Sequence, residues 1–190
     1  MADDELVSGA KRGEPAAWRE LHARHAGRLV IWLQLRPTGD ALMSPEDVAS
    51  EAWCVAASKI HDFRGDADDF AGWLFGIARR IAGTARRTAQ RRATEPQEPE
   101  TLAAAAPVVE DHALAQEHID WVRSVLASLS ERERDVIGLV DVLGMDTRSA
   151  AETLGMSMVA VRVARHRGLR RLNQQEPTLA GIVWTPPAAT

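Results

Sequence analysis

Covalent staples are missing from this chain. Cys54 is the single cysteine in 190 residues, which excludes intrachain disulfides and thiolate metal clusters and fits a reducing compartment. Tyrosine is absent, β-branched runs are short, and no segment shows strict alternation or a hairpin turn, so a sheet is not expected. No apolar run approaches the roughly 18 residues of a membrane span. Met1 to Lys11 opens with acids where an export signal would be basic and then apolar, so the expected location is cytoplasmic, without membrane insertion. Lysine is scarce as well: of 23 basic residues only Lys11 and Lys59 are lysine. A planar guanidinium suits phosphate oxygens and guanine edges better than a point charge, although GC-rich coding also favours arginine and the bias weighs little alone.

What is present is an ordinary globular composition, 45% hydrophobic and 26% charged, with a net charge of -4. That net charge would discourage a nucleic-acid reading were it evenly spread, and it is not. Residues 79 to 92 carry Arg79, Arg80, Arg86, Arg87, Arg91 and Arg92 without an acid, and residues 157 to 173 carry Arg162, Arg165, Arg167, Arg170 and Arg171 without an acid. Between them, residues 93 to 113 hold three prolines, five acids and no Lys or Arg, which reads as a flexible acidic linker. The expected organisation is a helical domain over 1–92, the linker over 93–113, a second helical domain over 114–175 and an extension over 176–190 of unassigned role.

The apolar period is helical throughout, and the fold class expected is all-α. Ser44 before Pro45 and Asp47 marks a helix start, with Val48, Ala52 and Val55 on one face. Phe70, Leu74, Ile77 and Ile81 repeat the pattern in the next helix. Ser130 with Glu133 forms a capping box opening a helix that Gly144 ends. From Thr147 a short helix with Ala150, Ala151 and Leu154 inward meets Gly155, and Ser157 can cap a second helix two residues later. Helices joined by so tight a turn cross steeply, as in a helix-turn-helix. On the second helix Val161, Ala164, Gly168 and Leu172 share one face and leave Arg162, Arg165, His166 and Arg170 largely outward, a cationic surface able to enter a major groove. The plainer reading is a solvated charged face on a structural helix.

Residues 44 to 87, SPEDVASEAWCVAASKIHDFRGDADDFAGWLFGIARRIAGTARR, resemble the most diagnostic stretch of the extracytoplasmic-function (group IV) sigma factors of bacterial RNA polymerase. The acidic helix (Glu46, Asp47, Val48), the F-R-G turn (Phe63, Arg64, Gly65), the W-L-F-x-I-A-R helix (Trp73 to Arg79) and the arginine tail (Arg86, Arg87) are all present. The second block matches from Leu126 to Arg134, through Leu154 to Ser157, to the closing R-R-L. The resemblance covers roughly 3–92 and 113–173. It implies a sigma-2-like helical bundle and a sigma-4-like helix-turn-helix domain.

By this resemblance, Glu46, Asp47 and Glu51 bind the clamp helices of the largest subunit of core RNA polymerase. Phe63, Arg64, Asp66, Trp73, Arg79, Arg80, Arg86 and Arg87 serve the minus-ten promoter element, with a base-trapping loop from His61 to Asp69. Melting DNA requires such a trap, because extruding a base costs a few kcal/mol that pocket contacts must offset. Trp73 fits either stacking on a base or the core. Ser157, Arg162, Arg165, His166, Arg167 and Arg170 face the minus-thirty-five element. The sequence departs from the family pattern at Ser50 (usually glutamine), Arg80 (often asparagine), Ala164, Arg165 and Leu169. The partners implied are core polymerase, promoter DNA and an anti-sigma factor, with no cofactor and no metal. The function implied is promoter-specific initiation without covalent chemistry. The alternative is a stand-alone helix-turn-helix regulator whose first domain senses a ligand.

Other signals have plainer readings beside them. His22 and His25, three apart, have a metal-compatible spacing but no third ligand nearby. Asp66, Asp68 and Asp69 suggest the ion site of a nuclease or simply an acidic loop. Cys54 is expected to be buried and inert. Glu95, Glu98, Glu100, Glu110 and Asp111 fit either a nucleic-acid mimic in the polymerase's RNA path or a spacer. Leu179, Ile182, Val183 and Trp184 give the tail a docking character. In this reading two compact modules, each with its own arginine-lined surface, hold separate stretches of DNA while the polymerase sets their spacing.

Overall fold

The computed structural model describes residues 3–36, 43–93 and 111–174. Among them there is no strand. The first lobe comprises α1 (Asp3–Lys11), α2 (Pro15–Gln34), α3 (Pro45–Lys59), a 3-10 turn over Ile60–Asp62, and α4 (Ala67–Ala93). The second comprises α5 (Asp111–Leu126), α6 (Glu131–Ile137) continuing as a π-helical segment over Gly138–Val142, α7 (Thr147–Leu154) and α8 (Met158–Gln174). The expected linker acids from Glu95 to Glu110, and the tail from 176 onward, lie outside the described residues.

Helix starts are set by the residues the sequence marks. Ser44 Oγ accepts from the Asp47 amide at 3.1 Å while Asp47 accepts from the Ser44 amide at 3.3 Å, a reciprocal cap on α3. The box at Ser130 and Glu133 is also formed. The Asp146 carboxylate caps α7, a cap the sequence reading passes over. Gly155 takes φ 63 at the end of α7, the left-handed conformation that permits the tight turn into α8. Gly168 then lets α8 lie close on Ile137 and Glu133 of α6.

The core does not divide at the linker. Leu6, Leu21, Leu29, Trp32, Phe70, Leu74 and Phe75 of the first lobe belong to one buried apolar cluster with Val136, Leu139, Ala150, Leu154 and Val161 of the second. The closest packing between the lobes is α4 on α7. Independent modules on a tether were expected from the composition of residues 93–113; in the structure the lobes are closed on one another. The physical reason is apolar area: Leu35 packs with Leu126, Leu129 and Ile137 of the second lobe, and the Gly72 to Gly76 face of α4 lies against Ser149 and Thr153 of α7.

Cys54 is exposed, which corrects the expectation of a buried thiol. The buried face of α3 is formed by Val48, Ala49, Ala52 and Ala56, and Cys54 falls off it. No group of three or more His, Cys, Asp or Glu able to hold a metal occurs among the described residues. His22 stacks on Trp53 with centroids 5.0 Å apart, whereas His25 is buried beside Phe70. Neither ring nitrogen of His25 has a hydrogen-bond partner among the described residues. Burial, helped by the charges of Arg28 and Arg24, lowers its pKa to about 4.

The pH dependence follows from that shift. Above the ordinary value of 6.5 the imidazole is neutral in both states; below it the unfolded chain takes up a proton that the folded chain refuses until about pH 4. Stability is therefore lost as pH falls through this window. His25→Leu removes the dependence: relative to the variant, the wild type loses about 2 kcal/mol between pH 7.5 and pH 5, measured by urea unfolding at each pH.

Candidate nucleic-acid interfaces

The turn between α3 and α4 is built around Phe63, Gly65 and Asp66. Gly65 has φ 146, and a Cβ there would lie 2.6 Å from Asp69 Cβ, so only glycine fits. Asp66 Oδ1 accepts from the amides of Asp68 and Asp69 at 3.0 Å each, capping α4. This capping role accounts for the acidic loop locally. Phe63 is buried, edge-on to Phe70 and 5.0 Å from the Trp73 ring. It shapes the turn. Lys11, which the sequence reading passes over, pins the same turn by donating to the Phe63 carbonyl at 2.9 Å.

Trp73 is half-buried and shares a cavity of about 230 Å³ with Asp62, Phe63, Arg64, Gly72, Gly76 and Arg80. The structure thus brings together four of the eight residues assigned to the minus-ten element, Phe63, Arg64, Trp73 and Arg80, around a cleft with both apolar and cationic walls. Its remaining lining residue, Glu152, comes from α7 of the other lobe. Further along α4, Arg79 and Arg86 are solvent-accessible but paired with acids of the second lobe. Arg79 lies 3.9 Å from Asp135 and Arg86 pairs with Glu131 at 2.9 Å, both acids on α6. Arg87 donates to Thr84 Oγ1 at 3.0 Å.

Glu46, Asp47 and Glu51 are exposed together on the first turns of α3. Glu46 accepts from Gln34 Nε2 at 3.0 Å, and Asp47 serves the helix cap. Acids here also complement the positive end of the helix.

On α8, Val161, Ala164 and Gly168 are buried and Arg162, His166 and Arg170 are exposed on the opposite side, as the periodicity requires. Ser157 Oγ accepts from the Ala160 amide at 3.2 Å and caps the helix. Arg165 is committed: its Nε lies 3.0 Å from both carboxylate oxygens of Asp141, whose hydrogen bond and charge raise its pKa. Arg171, absent from the assigned set, pairs with Glu133 at 2.8 Å. The outward face also carries Val159 and Val163, 65% and 43% exposed. Sequence reasoning missed them because valine at helical spacing ordinarily signals core; the signal available was that both fall on the arginine side of the helix.

The seam between the lobes is polar at its rim. Arg36 reaches Asp135 at 3.4 Å and Glu131 at 3.5 Å and stacks over Trp32 at 4.8 Å. Arg28 donates to the Leu143 carbonyl at 2.7 Å and Arg123 to the Gln34 carbonyl at 2.8 Å. Burial pushes the Asp135 carboxyl upward, opposed by Arg36 and Arg79. For Glu131 the upward effect of burial is outweighed by Arg86, Arg36 and Arg79, which hold its pKa below the ordinary value.

Two helical modules with these surfaces define a two-domain sigma fold, and comparison with known proteins agrees. Residues 22–92 match the family model "Sigma-70 region 2" and residues 119–172 match "Sigma-70, region 4". The chain is 30% identical over 176 residues to the ECF RNA polymerase sigma factor SigD of Mycobacterium tuberculosis, covering 90% of this chain and 82% of that one. It is 29% identical over 185 residues to the ECF RNA polymerase sigma factor ShbA of Streptomyces griseus, covering 90% and 97%. The solved structure of CnrH in complex with the cytosolic domain of CnrY is similar with a TM-score of 0.63 and 25% identity, over 92% of this chain and 96% of that chain. The chain belongs to the ECF sigma factors of RNA polymerase. No helix among the described residues is long and apolar enough to cross a membrane.

The pairing of Arg165 separates it from its neighbours. Once the chain's promoter is known, Arg162→Ala and Arg170→Ala should each reduce the slope of log affinity against log salt by about one for duplex carrying the upstream element, whereas Arg165→Ala should leave it nearly unchanged. Salt titration of holoenzyme binding measures all three.

Proposed function

We propose that this sigma factor directs initiation by dividing its work between the two arginine-lined faces. α8 enters the major groove of the minus-thirty-five element. The Trp73 cleft holds an unstacked base of the minus-ten element, with Arg64 and Arg80 at its mouth. Arg79, Arg86 and Arg87 contact phosphates along α4. Glu46, Asp47 and Glu51 engage the largest subunit of core polymerase. The observation that carries this reading is the cleft, where an aromatic face, a glycine-built turn and two exposed guanidinium groups converge at one end of a long helix. Electrostatics supplies affinity, and the half-buried ring supplies a stacking surface for a base of any identity.

CnrH was solved with a bound protein domain, the cytosolic domain of CnrY. By that likeness we infer that a protein inhibitor, an anti-sigma factor, covers this chain's polymerase-binding and DNA-binding faces when it is inactive. The polymerase does the chemistry, and the chain supplies specificity.

Runoff transcription with purified core polymerase tests the reading directly. Added chain should give promoter-specific products, and sequencing their 5′ ends locates both promoter elements. Trp73→Ala should lower open-complex formation by about tenfold or more, taking about 1–3 kcal/mol for one stacked base, while leaving core binding unchanged. Binding of duplex DNA with full specificity in the absence of polymerase would instead support the stand-alone regulator.

The exposed valines sharpen the expectation for the upstream element. Val159 and Val163 suit the C5-methyl groups of thymine, beside guanine contacts from Arg162 and His166. Replacing a contacted thymine by deoxyuridine should weaken holoenzyme binding by about fourfold per methyl group, and Val159→Ala or Val163→Ala should abolish that sensitivity.

A further inference from the structure

The turn that walls the Trp73 cleft is fixed at its two ends by its own helices. On the α3 side the Phe63 amide donates to the Ile60 carbonyl at 3.2 Å, and on the α4 side Asp66 caps the helix. Between these anchors the chain runs outside any regular helix: Phe63 is extended, with ψ 135, and Gly65 has φ 146. The middle of the turn is held from elsewhere.

That support comes from α1, which precedes the segment 22–92 matched by the sigma-70 region 2 family and packs against α2, α4 and the 3-10 turn. Leu6, Val7 and Ala10 bury its inner face. Its C-terminal end is tied to the start of α2, where Trp18 Nε1 donates to the Ala10 carbonyl at 3.1 Å and the Glu14 amide to the Gly9 carbonyl at 3.0 Å. Lys11 closes α1 on this fixed base. Its Nζ donates to the Phe63 carbonyl, 52 positions away, at 2.9 Å and stands 5.9 Å from the Phe63 ring centroid, within reach of a cation–π attraction. The Phe63 ring in turn packs on Trp73 at 5.0 Å.

We propose that Lys11 is a positioning residue for strand opening: its ammonium fixes the Phe63 carbonyl, and through it the Phe63–Trp73 ring pair that receives the unstacked base, without touching DNA itself. This rests on the assignment of the Trp73 cleft above. A trap offsets the cost of extruding a base only if its walls already stand when the base arrives. Ordering a loop residue costs conformational entropy, and a bond made during folding spares that cost at the moment of binding. A charged donor on a neutral carbonyl makes such a bond stronger than one between neutral partners.

The test uses the full chain in holoenzyme, on a promoter located by runoff transcription. Each minus-ten position of the non-template strand is replaced in turn by an abasic sugar, and open complex is measured by permanganate reactivity of unpaired thymines. Lys11→Met, which keeps the stem and loses the donor, should lower open-complex formation about fivefold on the intact promoter, the effect of one lost hydrogen bond. Its affinity for core polymerase and its salt slope on promoter DNA should match the wild type, and Lys11→Arg, which keeps a donor, should recover most of the loss. Where an abasic sugar penalises the wild type, it should penalise Lys11→Met less, because a slack trap gains less from the base. Unchanged opening by Lys11→Met, an abasic penalty equal to that of the wild type, or a salt slope reduced by about one, the mark of a direct phosphate contact, overturns the role of Lys11. If no abasic position penalises the wild type, or Trp73→Ala leaves the penalty intact, the assignment of the base trap fails instead.

Discussion

Asp135 is a carboxylate that folding takes out of water and sets between Arg36 and Arg79, with Glu131 and Arg86 extending the same line of charge. A buried charge of this kind is worth little as net stability, because desolvation offsets most of the attraction. What it supplies is register. With the apolar cluster running from Leu6 to Ala164 through both lobes, many slightly shifted packings would bury similar area, and the ion cluster favours the one in which α6 meets the arginines of α2 and α4. The Trp32 indole under Arg36 and against Phe75 ties this charge to the first lobe's core.

The same side chains therefore answer two demands. In the proposed reading Arg79 and Arg86 serve DNA as accessible cations, and in this structure the same charge attracts Asp135 and Glu131 of the other lobe. Gly72 makes the approach possible, because a larger side chain there would press on the backbone of α7.

Much of the fold is legible in the sequence because it is written in local chemistry. Ser44 with Asp47, Ser130 with Glu133 and the left-handed Gly155 are decided within four residues, and the structure forms each as read. The buried face of α8 follows from a period that needs no partner to be recognised. What escaped was non-local. Cys54 was misplaced because the width of the buried stripe on α3 depends on which helices cover it. The packing of the Phe63 ring against Phe70 and Trp73 is likewise set by the next helix. The arginine pairings with Asp141, Glu131 and Asp135 join residues 24 to 99 positions apart. A composition that separates two arginine runs by an acidic linker says nothing of whether the flanking modules touch.

The length of α4 has a geometric consequence of its own. At 1.5 Å per residue its 27 residues form a rod of about 40 Å, slightly more than one full turn of B-form duplex. The Trp73 cleft sits toward one end and Arg91 and Arg92 at the other, about 27 Å along the axis, so the cleft and the arginine tail keep a fixed spacing on one rigid rod. In the proposed reading, any distortion the ring imposes on a base is held against a fixed reference along the same helix, without a loop to absorb the strain.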